Sequence, residues 1–77
     1  MANLLRNYEF IIADPDMLGG KPVIKGTRLS AAFILSCLAA GMTPDEIAQT
    51  YASFPLEAIA EVLKLASEVL DAGQVAA

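Results

Sequence analysis

Ser30-Ala31-Ala32-Phe33-Ile34-Leu35-Ser36-Cys37-Leu38-Ala39-Ala40-Gly41-Met42-Thr43-Pro44-Asp45-Glu46 carries the start and stop signals of two consecutive helices. Ser30 supplies an N-cap hydroxyl, the segment through Ala40 is apolar nearly all round, and Gly41 stands where a helix ends in a left-handed residue. The spacing predicts a helix over 30–40, and its missing polar face predicts that it lies at the centre of the fold, buried on every side. Thr43-Pro44-Asp45-Glu46 then offers an N-cap, a proline at the first helical position and a glutamate that reaches back as a capping-box partner. A second helix is predicted over 44–52.

Downstream, Pro55 permits a third helix over 56–72, with Gly73 as its stop and 73–77 as a frayed tail. Glu57, Glu61, Lys64, Glu68 and Asp71 recur at intervals of 4, 3, 4 and 3 residues. At 100° per residue they fall within about 80° of arc and predict one solvated stripe. The opposite side holds Ile59, Val62, Leu63, Leu65, Ala66, Val69 and Leu70, a band wider than two small neighbouring helices can cover, so these residues are the predicted dimer interface.

Upstream, Tyr8-Glu9-Phe10-Ile11-Ile12 has the aromatic and β-branched content of a strand, and Ala13-Asp14-Pro15-Asp16 ends it as a turn. Gly19-Gly20-Lys21-Pro22 is a joint stiffened by its proline, and Val23-Ile24 with Arg28-Leu29 reads as two short extended pieces around Gly26. The expected architecture is therefore small α+β and mostly helical. A strand and glycine-hinged hook over 7–29 precede a three-helix helix-turn-helix core, all within one domain of 77 residues.

Composition supports an assembly. Of 77 residues, 56% are hydrophobic and 18% charged, with a mean hydropathy of +0.53, while a chain this short hides only about 60% of its unfolded surface. The surplus predicts a homodimer. No apolar run approaches the roughly 18 residues of a membrane span, the first six residues lack the pattern of a secretory signal, and Cys37 alone cannot form an intrachain disulfide. A reducing cytoplasm is the expected setting. Without histidine, and with Cys37 set in an apolar helix as a small hydrophobe, histidine bases, cysteine-histidine nucleophiles and zinc clusters have no residues to build them. No catalytic residue, metal site or cofactor is expected.

Charge is segregated. Residues 1–30 carry +1 and residues 31–77 carry −5, for a net −4. Lys21, Lys25 and Arg28 fall within eight residues, and a hook that folds back would gather them into one patch for phosphate oxygens or an acidic protein face. Local neutralisation by Glu9, Asp14 and Asp16 is the alternative. A helix-turn-helix would place its third helix in the major groove, yet four carboxylates beside Lys64 oppose phosphates and make that helix a poor base reader. Gly19-Gly20-Lys21 is no phosphate loop, because Pro22 stands where that pattern needs Ser or Thr. Asp14-Pro15-Asp16 lacks a third metal ligand and reads as a turn.

The run Ile12 to Ser30, followed by Ala39-Ala40-Gly41-Met42-Thr43-Pro44-Asp45-Glu46-Ile47, closely resembles the domain of unknown function family 433. The likeness extends from about Tyr8 to Leu70, and its motif positions are Asp14, Pro15, Gly19, Gly20, Lys21, Pro22, Gly26, Thr27 and Arg28. Pro55 stands where members commonly carry Thr, which alters the cap of the third helix. The resemblance implies a homeodomain-like helical core and a VapB-like antitoxin of a toxin-antitoxin system. Such a protein binds a PIN-like ribonuclease toxin and, as a further implied role, represses its own operon. The expectation is an antitoxin-like regulator that dimerises, meets a toxin and touches double-stranded operator DNA through Lys21, Lys25 and Arg28. The alternative is a dimeric interaction module whose helix-turn-helix is scaffold alone, without DNA binding.

Overall fold

A computed structural model describes residues 5–73. The frayed tail expected over 73–77 thus lies outside the described residues except for Gly73. Two strands, β1 (Ile11–Ala13) and β2 (Pro22–Ile24), precede three helices, α1 (Ala31–Ala39), α2 (Pro44–Thr50) and α3 (Glu57–Ala72). No single helix among the described residues is long and apolar enough to cross a membrane.

The front of the chain differs from its sequence reading. The strands form a two-stranded antiparallel sheet with Ile11 opposite Ile24, Ile12 opposite Val23 and Ala13 opposite Pro22. β1 therefore starts at Ile11 rather than Tyr8, and its partner is the Val23-Ile24 segment. Between the strands, Leu18, Gly19 and Gly20 take φ of 51°, 67° and 84° in succession. Three consecutive left-handed residues reverse the chain within a short loop, and the two glycines do so without the Cβ penalty that Leu18 bears. The predicted hook is present on the other side of β2: the Ile24 N–H donates to the Leu29 carbonyl at 2.9 Å, the Thr27 N–H to the Ile24 carbonyl at 3.0 Å, and Val23 bridges Ser30.

The helix signals behave as local chemistry dictates. Ser30 Oγ accepts from the Phe33 N–H at 3.0 Å. Past Ala39, the Gly41 N–H reaches the Leu38 carbonyl and the Met42 N–H the Cys37 carbonyl, each at 3.0 Å, with Gly41 at φ 95°. That pair of bonds is a Schellman ending. Thr43 and Glu46 make both bonds of the capping box, at 2.8 and 3.1 Å. Of the three helices only α3 opens without a side-chain cap, its N-cap residue being Leu56, preceded by Pro55.

Ile11, Ile24, Ile34, Ile47, Val23 and Val62 are the largest fully buried side chains, joined by Ala58, Ile59 and Leu65. α1 packs against α3, β2 and α2, and α3 also reaches β1. This corrects the reading of α1 as wholly buried. Only Ala31, Ile34 and Cys37 are buried on it, while Ala32, Phe33 and Ala39 are exposed. None of the described elements lies over the outer face, so apolar content there reports surface rather than core.

Candidate interaction site

Three surfaces carry chemistry. The first is the polar stripe of α3, where Glu57, Lys64, Glu68 and Asp71 are exposed as expected and Glu61 is half-buried under a segment the sequence did not place there. The Glu61 carboxylate accepts the Glu9 N–H at 2.9 Å and the Phe10 N–H at 2.7 Å, one oxygen each. The Tyr8 hydroxyl donates to Glu68, and Lys64 Nζ lies 5.2 Å from the Tyr8 ring centroid. The stripe is a clasp for the strap formed by residues 8–10, whose Tyr8 and Phe10 pack on the core. Burial, then the bond to Glu68 and the charges of Glu68 and Glu61, push the Tyr8 hydroxyl up to about 12.

The second surface is the hook. Its motif residues build backbone. Asp14 Oδ1 accepts from the Asp16 N–H at 2.9 Å, and Pro22 opens β2. Gly26 holds φ at 83°, and Thr27 Oγ1 both donates to the Ile24 carbonyl (2.8 Å) and accepts from the Leu29 N–H (3.0 Å). Lys21, Lys25 and Arg28 are all exposed. Lys25 and Arg28 flank the tight turn, whereas Lys21 lies across β2 from them, about 13 Å from Lys25 for four extended residues. The hook folds back as expected but distributes its cations over both ends of the strand. No ion pair joins the three cations to Glu9, Asp14 or Asp16 among the described residues.

The third surface is a groove of about 350 Å³ between α1 and α3, walled by Ala32, Leu35, Ala66, Val69 and Leu70 with Val62 and Leu65 at its floor and no charged side chain in its lining. Here the predicted dimer residues divide. Ile59, Val62 and Leu65 are 8%, 0% and 5% exposed, so they belong to the core of the single chain and offer nothing to a second one. Leu63, Val69 and Leu70 remain at least half exposed, and Ala66 is half-buried. Sequence reading passed over Leu56, 58% exposed, although Leu56, Leu63 and Leu70 recur every seven residues. An exposed edge-to-face pair, Phe33 and Tyr51 at 4.8 Å, lies on the other flank of α1. Among the described residues no three carboxylate or thiol groups converge as metal ligands would.

The sequence profile of a family described as protein of unknown function (DUF433) matches residues 11–66, and the chain belongs to that family. The matched stretch holds both strands, the hook, α1, α2 and most of α3, but not the Tyr8 and Glu68 ends of the clasp. The chain is also similar to the uncharacterized protein y4eO of Sinorhizobium fredii (strain NBRC 101917 / NGR234), 33% identical over 51 residues, which are 66% of this chain. It spans 23% of that relative's length. No solved structure matches the chain.

Proposed function

We propose that the chain is an antitoxin-like regulatory protein that works by binding as a homodimer. In this reading the carboxylates that the strap leaves uncovered, Glu57 and Asp71 on α3 with Asp45 on α2, face a basic protein partner, a PIN-like ribonuclease toxin. Lys21, Lys25 and Arg28 approach operator phosphates. The supporting observation is the separation of charge: the exposed cations of the hook lie at the two ends of β2 and in the turn that follows it, while the helical part carries −5. Four residues, 40–43, join α1 to α2, and the chain bends by 119° between them, within the range of a helix-turn-helix.

Contacts of the hook would position the duplex rather than read its sequence. A gel-shift titration against the DNA upstream of the gene, repeated across salt concentrations, tests this role. Replacing the three cations together by Ala should weaken binding and flatten the log–log salt dependence by about 2.7 for each protomer that touches the duplex, about 5.4 when both do. Unchanged affinity and slope would remove the hook from DNA recognition.

One observation favours the second reading, an interaction module without DNA binding. Asp45 and Glu46 occupy the first turn of α2, and Glu61, Lys64 and Glu68 of α3 are engaged by the strap, so neither helix presents a cationic face to a groove. Retention of a protein partner with no DNA affinity even at low salt would establish that reading over the first.

A further inference from the structure

We propose that the exposed ridge of Leu56, Leu63 and Leu70, at the rim of the α1–α3 groove, is covered by a second copy of this chain, its α3 laid antiparallel along the first with the twofold axis at Leu63. Leu63 then meets its own counterpart, and Leu56 of each protomer meets Leu70 of the other beside the groove. The proposal rests on the homodimer of the preceding reading and specifies its face and direction.

Spacing is the first argument. Leu56, Ile59, Leu63, Ala66 and Leu70 follow one another at 3, 4, 3 and 4 residues, the seam of a helix that packs against another helix. Ile59 is occupied by the chain's own core, whereas Leu56, Leu63 and Leu70 are exposed by 58%, 50% and 63%. A twofold axis needs one patch that fits itself, and here Ala66 and Leu70 belong to the ridge and to the wall of the groove alike. Each ridge therefore meets the other along the rim of the groove, and Ala66 and Leu70 join the two surfaces.

Charge is the second. A chain of net −4 can meet itself closely only where it carries no carboxylate. Glu61 and Glu68 stand about 160° round the helix from Leu63 and Leu70, and their bonds to the strap fix them on that far side. A basic partner would find no counter-charge in the groove. Direction follows from the ends of α3. Its first turn holds Glu57, which complements the dipole there, whereas its last turn holds Asp71 with no basic residue. The C-terminal end is therefore the unfavourable one alone, and an antiparallel copy sets the negative end of one helix dipole beside the positive end of the other, where a parallel copy would set like ends together. Ser67, at the edge of the ridge, already donates its hydroxyl to the Lys64 carbonyl at 2.9 Å, so a covering helix orphans no donor there.

Disulfide capture reads the direction. Leu56→Cys and Leu70→Cys variants of the full chain should form little covalent dimer separately and much more when mixed before oxidation. Efficient self-linkage of each variant alone would mean parallel helices and overturn the proposal. Sedimentation reads the face: Leu63→Glu should halve the native mass while far-ultraviolet circular dichroism keeps its helical signal. A Leu63→Glu chain that stays dimeric, with no cross-linking in the mixture, would refute this geometry and leave the homodimer itself standing. A wild-type chain of monomer mass would remove both. Should Leu63→Glu fail to fold, the mixing experiment decides alone.

Discussion

Replacing Glu61 by Ala would leave the N–H groups of Glu9 and Phe10 without their acceptor, the second of them partly buried. The expected loss of stability is about 1–3 kcal/mol, read from the denaturant midpoint. Glu61→Gln, which keeps one oxygen, should lose less. Glu57→Ala serves as the reference, since Glu57 lies exposed on the same helix, and equal losses at the two positions would contradict the clasp. Tyr8 gives the clasp a pH signature. Its hydroxyl is raised from 10.0 to about 12, so the neutral form is favoured in the folded chain. That contribution is whole below the unfolded value and is lost as pH rises from about 10 through about 12. Urea midpoints across this window should fall more steeply for the wild type than for Tyr8→Phe, and identical curves would exclude the role. The strap could not be read from the sequence. A 4-3-4-3 stripe shows that five side chains share a face, but the segment that returns to it comes from 51 to 60 residues away.

At the scale of elements, legibility tracks the range of the chemistry involved. Ser30, Gly41 and the Thr43–Glu46 pair act within four residues of themselves, and all three helices fall within two residues of their expected bounds. Thr43→Ala removes the acceptor of the Glu46 N–H and should cost about 1 kcal/mol, with loss of helical signal on heating at lower temperature than the wild type. A neutral effect would mean that tertiary contacts alone hold α2. The strands were less legible. Aromatic and β-branched residues marked residues 8–12 as extended, yet which of them enter a ladder depends on the register with β2, set by the left-handed turn at Leu18 to Gly20. The hook was legible in outline because Gly26 and Thr27 act locally; the placement of its cations was not, because it depends on the length of β2. The pattern of α1 misled for a different reason. Apolar residues all round a helix report what the helix can bury, and in a single short chain only the face toward α3, β2 and α2 is covered.

For the whole molecule, the apolar surplus of the composition is located rather than averaged. The large exposed side chains of α3 are Leu56, Leu63, Val69 and Leu70, all at 50% or more, continuous with a groove that has no charged lining. Covering a half-exposed Leu or Val contributes on the order of 1 kcal/mol, so eight of them across a twofold axis supply roughly 8 kcal/mol before the entropy of association is subtracted. The sequence carried the amount of this surface plainly and its location only in part. Val62, Leu65 and Ile59 were indistinguishable by pattern from Leu63 and Leu70, because which apolar residues of α3 face inward depends on where α1 and the sheet lie. The most direct measurement is sedimentation equilibrium of the unmodified chain over a micromolar dilution series. The account predicts a species of twice 8.1 kDa that gives way to the single chain on dilution. A folded species that holds 8.1 kDa at every concentration would contradict it.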